Sequence, residues 1–411
     1  MNSVSTVPRN ALSFANFRYF IGMRLPAALA VQMQSVAVGW QVYSLTHRPI
    51  SLGYVGLAQF LPMLGFALIA GHVADRFDRR RVLMACLALQ LICSALLLLL
   101  AWRGGGDIWP IYAILALFGT ARAFLAPATQ ALLPALVPAE SLGSAFAWAS
   151  SGFQTMTIAG PALGGLIYGV GPEAVYAASG ALFFLSILAT TAIGPPARAP
   201  SARGVDWDSL IAGIRFIRGR PEILGAISLD LFAVLFGGAT ALLPVYARDI
   251  LDIGPVGLGL LRSAPAVGAV LVGLILAHRS LGRHAGYTMF AGVAIFGAAT
   301  IVFGLSRSFF VSLTALAILG AADMVSVFVR QNLVQRATPD AMRGRVNAVN
   351  FLFVGASNEL GEMESGLTAS WFGAVGAVVA GGVGTLAVMA LWLWRFPALK
   401  DVDRLEDIQA P

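Results

Sequence analysis

The chain has 411 residues, 58% of them apolar and 11% charged, against about 45–50% and about 25% in soluble domains. That composition excludes an ordinary soluble globular protein and points to a bilayer as solvent. The formal charge of +7 does not call for nucleic acid, because the basic residues are sorted by side of the predicted spans.

A membrane span needs about 20 mostly apolar residues. Twelve such stretches follow one another, at 17–45, 50–74, 81–102, 108–133, 142–168, 172–194, 222–247, 256–277, 285–305, 308–335, 344–370 and 372–395. With both termini inside, 19 Lys and Arg residues fall in inner segments, and only Arg48, Arg103, Arg248 and Arg307 fall in outer loops. The positive-inside rule therefore predicts cytoplasmic termini. The N-terminal MNSVSTVPRNALSF has no apolar stretch with a small-residue cleavage site, so no removable signal peptide is expected and the first span acts as an anchor. Cys86 and Cys93 lie seven residues apart on one predicted helix, about 10 Å along its axis and beyond disulfide reach.

The polar stretch from Pro195 to Glu222 divides the spans six and six. The predicted organisation is an N-terminal half over 1–194, a cytoplasmic linker over 195–221, a C-terminal half over 222–395 and a tail over 396–411. Within the linker, Trp207, Leu210, Ile211, Ile214 and Ile217 recur at helical spacing beside Arg215, Arg218 and Arg220. That stripe suits a helix on the inner membrane surface; a mere tether is the other reading.

A shift of 201 residues sets Gly119 on Gly320, Gln130 on Gln331, Pro138 on Pro339 and Gly143 on Gly344, and a shift of 203 sets Tyr43 on Tyr246, Gly56 on Gly259 and Pro62 on Pro265. Six plus six spans with parallel internal similarity predict an all-α integral membrane protein of twelve transmembrane helices in two pseudo-symmetric halves around a central site. In this register GPALGGL at 160–166 falls on GEMESGL at 361–367, Arg122 on Asp323 and Gln59 on Arg262.

The loop between the second and third spans reads GHVADRFDRRR, from Gly71 to Arg81. It resembles the signature loop of the major facilitator superfamily, with Gly71, Asp75, Arg76, Arg79 and Arg80 in place and Asp78 where that family usually has Gly. Its second-half echo AHRSLGR keeps Arg279 and Arg283 but has His278 in place of Asp. The segment AGPALGG, with Gly160, Pro161, Gly164 and Gly165, resembles the close-packing core of the drug:proton antiporter branch, with Met156 where a further glycine is usual. Within that branch the layout is similar to the transmembrane secretion effector group that includes enterobactin and macrolide exporters. The resemblance implies a latch at Gly71, Asp75, Arg76, Arg79 and Arg80 that holds the inner side closed. The fourth-span arginine of such exporters would stand at Leu115 here; Arg122, two turns nearer the cytoplasm on nearly the same face, is a substitute.

Charges inside hydrocarbon cost about 2.5–3.5 kcal/mol each at mid-span on insertion scales, so Arg122, Asp230, Arg262, Asp323 and Arg330 are expected to face partners or a watery cavity. Arg122 and Asp323 are the candidates for a central polar site, a structural ion pair being the alternative, and Arg330 is placed to snorkel inward. In SNELGEMESG, Glu359 and Glu362 lie about 60° apart around a helix, whereas Glu364 points roughly 140° or more from both. Adjacent carboxylates in a low dielectric oppose each other's ionisation, so one can take and release a proton near neutral pH. An outer-mouth hydrogen-bond network is the other reading of Glu359 and Glu362, and Glu364 is read as a bystander touching outer water.

These readings converge on a secondary exporter of amphipathic small molecules, working by alternating access with proton antiport in the cytoplasmic (inner) membrane as a monomer. Asp230, Arg262, Arg122, Asp323, Glu359 and Glu362 are its candidate proton and substrate residues. No cofactor or metal is expected, since His47, His72, His278 and His284 fall in loops or span ends. Direct ATP drive lacks its Gly-x-x-x-x-Gly-Lys loop, and no enzyme site can be assembled from these residues. A facilitator or importer of a small metabolite on the same fold, and a non-transporting sensor, are the alternatives.

Overall fold

The computed structural model describes residues 10–104, 106–195, 207–278 and 283–403. Among them every regular element is helical, with no strand. The chain divides into two compact units, Met1–Val38 with Ala58–Gly204, and Gly39–Leu57 with Val205–Pro411. The segment 39–57, the end of the first helix and the start of the second, thus groups with the C-terminal unit.

In chain order the first six helices are α1 (Ala15–Thr46), α2 (Ile50–Arg76), α3 (Arg79–Arg103), α4 (Trp109–Leu132), α5 (Leu142–Tyr168) and α6 (Pro172–Thr191). The N-terminal unit is centred on α3, which packs on α4 and α6 through buried Leu83, Leu87 and Leu97. Phe118 of α4 meets Phe183 of α6 edge-on at 6.2 Å. Close helix approaches fall on glycines: a Cβ at Gly119 would collide with the Gln59 backbone of α2, and one at Gly164 would come within 2.8 Å of the Met33 backbone of α1. The AGPALGG segment is therefore the surface of α5 that presses on α1.

The C-terminal unit continues with α7 (Trp207–Arg218), α8 (Pro221–Phe236), the single-turn α9 (Leu243–Val245), α10 (Gly254–His278), α11 (Ala285–Leu305), α12 (Phe309–Ala337), α13 (Asp340–Arg395) and α14 (Pro397–Lys400). Gly320 of α12 lies against the Pro265 backbone of α10, the same kind of contact that Gly119 makes in the N-terminal unit. The linker stretch forms the helix α7, and its apolar stripe is divided: Ile211 is half-exposed, whereas Ile217 packs on protein. Ile217 is buried in a cluster with Ile223, Val346 and Val349, and a Cβ at Gly213 would come 2.9 Å from the Arg345 carbonyl of α13.

Two stretches differ from simple spans. The continuous span expected at 222–247 stops after Phe236 and proceeds as a 3-10 turn (Gly238–Leu242), α9 and a π turn (Tyr246–Ile250). Gly237 and Gly238 are poor helix formers and Pro244 lacks an N–H, while Gly238 is pressed against Gly361 and Ser365 of α13. Conversely, α13 joins the two spans expected at 344–370 and 372–395 through Gly373, whose φ of 74° favours a residue without a Cβ.

Among the described residues nine helical stretches are long and apolar enough to cross a membrane. The chain is a multi-pass membrane protein. The long helices α1 and α5 are outside those nine because they are more polar: α1 carries Arg18, Arg24, Gln32, Gln34 and Gln41, and α5 carries Ser150, Ser151, Gln154, Thr155 and Thr157.

Candidate functional site

Asp230 stands nine residues into α8, where hydrocarbon demands a partner. Arg330 of α12 supplies it, with Nη2 3.1 Å from the Asp230 carboxylate and both side chains almost wholly buried. The other side of the guanidinium donates from Nη1 to Asn350 Oδ1 of α13 at 2.7 Å. Arg330 therefore does not snorkel inward as the sequence suggests. A partner on another helix is invisible to helical periodicity, which fixes only the face of α12.

Asp323, Ser326 and Arg330 recur at spacings of three and four on α12 and so share a face. Asp230, Asp323 and Ser326 line a cavity of about 10 Å³ between α8, α11 and α12, close to the minimum that holds one water molecule. Ser326 Oγ is buried without a hydrogen-bond partner among the described residues. Asp323 accepts no hydrogen bond there either and is influenced by both the Asp230 and Arg330 charges. This cluster has two carboxylates and one guanidinium.

A second cluster lies along α13, α10 and the segment 39–57. Arg262 of α10 interacts electrostatically with Glu362 and, more weakly, with Glu359. A Cβ at Gly56 would come 2.7 Å from Glu362 Oε2 and 3.3 Å from Glu359 Oε2. The two carboxylates thus converge on one glycine of α2, as their 60° separation anticipates. A Cβ at Gly39 of α1 would lie 3.6 Å from Arg262 Nη1, so both partners use small residues for access. Glu364 points elsewhere and accepts from Thr368 Oγ1 at 2.7 Å. Sequence reasoning found the acids but missed Gly39 and Gly56 as the space they occupy; the pairing of Gly56 with Gly259 was the available signal. It also missed Tyr43, whose hydroxyl donates to Asp249.

The N-terminal unit is different. Arg122 of α4 donates from Nη1 to Gln59 Oε1 of α2 at 3.2 Å, one turn from the Gly119 contact. Arg122 belongs to this unit and Asp323 to the other. Arg24 of α1 lies over the Phe153 ring of α5, 5.6 Å from its centroid.

At the loop between α2 and α3, Asp78 occupies the position where the superfamily pattern has glycine, and it caps α3. Its carboxylate accepts from the Arg80 amide at 2.9 Å and pairs with the Arg80 guanidinium at 3.3 Å. Slight desolvation opposes ionisation of Asp78, but these contacts outweigh it and hold the carboxyl below the usual range. Arg79 is buried and donates to the Ala131 carbonyl at 2.9 Å, and Arg80 donates to the Ile193 carbonyl at 2.7 Å. Both thus serve carbonyls at or just past the ends of α4 and α6, where cations are favoured. Arg76 is exposed and a Cβ at Gly71 would meet open space. The Asp75 side chain lies outside the described residues, as does Arg279.

With this geometry, the fold is that of a membrane transporter. It matches a bacterial homologue of the iron transporter ferroportin in an inward-facing state with a TM-score of 0.69 at 15% identity, covering 92% of this chain and 98% of that one. It matches a bacterial homologue of the human lysosomal transporter Spinster with a TM-score of 0.76 at 14% identity, covering 97% and 99%.

Residues 8–410 match the transmembrane secretion effector family of the major facilitator superfamily, and the chain belongs to that family. The enterobactin exporters EntS of Shigella boydii serotype 18 and Escherichia coli O157:H7 are each 26% identical to it over 378 residues, 90% of this chain and 85% of theirs. The chain is accordingly a transporter of the efflux type and not an enzyme.

Proposed function

We propose that this protein is a secondary exporter that exchanges protons for amphipathic small molecules by alternating access. Its twelve spans form two pseudo-symmetric halves of six, 1–194 and 222–395, joined by the linker at 195–221. Both termini lie in the cytoplasm and the monomer is the working unit. Enterobactin, the cargo named for the 26%-identical relatives, is the first candidate substrate.

The observation that carries this reading is the excess of carboxylate over guanidinium among the charges inside the helices of the C-terminal unit. Asp323 sits beside an ion pair, Asp230 with Arg330, that is already complete. A second negative charge in such a setting is costly, and a proton is the smallest group that neutralises it. Loading and unloading that proton changes the net charge of the cluster by one, which is what coupling to a proton gradient requires. Glu359 and Glu362 around Arg262 repeat the pattern of two acids and one arginine. In this reading Arg79 and Arg80 release and remake their helix-end contacts as part of the inner latch with Gly71, Asp75 and Arg76.

The test is enterobactin uptake into inverted vesicles containing the protein, with an acid lumen. Antiport predicts accumulation that stops when an ionophore collapses the pH gradient. Equal uptake with and without the gradient would remove proton coupling from the account, and movement only out of the vesicles would make the protein an importer.

A further inference from the structure

The N-terminal unit contains a cation that its own contacts do not explain. Arg24 lies nine residues into α1, about 13 Å along the helix. A guanidinium at such depth costs about 2.5–3.5 kcal/mol unless it is paired or wet. Its one recorded contact among the described residues is the face of the Phe153 ring; no hydrogen-bond acceptor or carboxylate approaches it. The helices α1, α4 and α5 themselves contain no Asp or Glu.

Phe153 is eleven residues into α5 and Arg122 ten residues before the end of α4, about 16 and 15 Å along their helices. Since α1 and α5 start on the side where α4 ends, the two arginines and the ring occupy one level of the unit. A guanidinium inside a span faces the bundle interior or a watery cavity rather than lipid. Phe153 is 42% exposed, and Ser150, three residues before it and so on the same face of α5, is exposed as well.

Resting on the exporter reading, we infer that Arg24 and Phe153, with Arg122 at the same level, form an anion-binding region of the substrate path, and that the cargo is an aromatic or amphipathic molecule carrying carboxylate or phenolate charge. A guanidinium held over a ring presents an edge of N–H donors to an oxyanion, and the exposed ring offers an apolar surface to the rest of the ligand. A positively charged drug finds only like charge here.

The test uses the full chain purified in detergent and two probes of one shape, 1-naphthoate and 1-naphthylmethylammonium, with saturable binding measured by equilibrium dialysis. Wild type is expected to bind naphthoate at least tenfold more tightly than the ammonium. Arg24→Gln should weaken naphthoate about tenfold, Arg24→Lys should restore part of that loss, and Phe153→Leu should weaken both Arg24 forms. Gel filtration of each variant keeps loss of fold separate from loss of binding, and Arg24→Lys carries the conclusion if Arg24→Gln aggregates. Three results would overturn the inference: no saturable naphthoate binding, equal or tighter binding of the ammonium, or naphthoate binding within twofold of wild type in Arg24→Gln. Displacement of naphthoate by phosphatidylglycerol but not phosphatidylcholine would assign the site to a lipid headgroup and overturn it as well. Gradient-driven export can fail while this binding stands, and the reverse, so the two proposals are separable.

Discussion

The N-terminal unit carries Arg24 and Arg122 inside its helices with no carboxylate at their level, whereas the C-terminal unit carries Asp230, Asp323, Glu359 and Glu362 against Arg262 and Arg330. The helix contacts beneath these charges are nevertheless alike. Gly119 admits the backbone of α2 and Gly320 that of α10; Gly164 packs on α1, and Gly361, at 3.0 Å from the Val234 and Leu235 carbonyls for a built Cβ, packs on α8. Backbone packing and buried charge are therefore separable in this molecule. Small residues set how closely helices approach, and side chains between those contacts are free to carry opposite chemistry.

If the difference in charge is as described, removing one charge should hurt the two units unequally. Asp230→Ala strands Arg330 in a buried site, and breaking a buried pair costs about 3–5 kcal/mol. Arg24→Gln removes a cation whose recorded partner is a ring, a contact worth about 0.5–2 kcal/mol, and relieves its desolvation. Thermal unfolding of the purified variants should show a large loss for Asp230→Ala and a small change of either sign for Arg24→Gln.

The shared packing makes the opposite forecast. Gly119→Leu and Gly320→Leu should destabilise to a similar extent, by about 1–3 kcal/mol each or more, the usual cost of overfilling a packed contact. A large loss in one and none in the other, by the same unfolding measurement, would show that the two glycines do different work.

The smallest effects belong to the helix ends at the α2–α3 loop and beside the C-terminal tail. Asp78 caps α3 in one unit; in the other, Asp403 accepts from the His284 amide at 2.9 Å and from Arg283 at 3.2 Å, while the Gly286 amide donates to the Val402 carbonyl. The His284 amide, aided by Arg283 and opposed by slight desolvation, holds the Asp403 carboxyl below the usual carboxylate range. A depressed carboxyl stabilises above its ordinary value of about 3.9 and loses that contribution as pH falls through the lower, folded value. The tail contact should thus persist at pH 5 and loosen only in stronger acid. Asp403→Asn should speed hydrogen exchange at the Ala285 and Gly286 amides and leave the rest of the protein unchanged.

Much of the helical layout is legible in the sequence, because apolar runs and the Gly and Pro residues between them report the bilayer solvent directly. The interruption at 237–245 is not, since FGGATALLPV stays apolar and the close contact of Gly238 with Gly361 is tertiary. The linker helix shows why an amphipathic stripe is ambiguous: lipid and the surface of α13 satisfy Ile217 equally well. At the site, the 100° rule separates Glu364 from Glu359 and Glu362 correctly, because all three share one helix. It cannot find Arg330 for Asp230, Arg262 for Glu362 or Phe153 for Arg24, each of which joins two helices. Asp78 reads as a departure from a pattern until the structure shows it as the cap of α3.

The role given to Asp323 is the point on which the difference between the units turns. Gradient-driven enterobactin uptake into inverted vesicles, compared for wild type and the variants Asp323→Asn, Glu359→Gln and Glu362→Gln, addresses it. The account predicts that Asp323→Asn binds substrate but accumulates none in response to an acid lumen, with a partial loss in the two glutamate variants. Full gradient-driven accumulation by all three would contradict it.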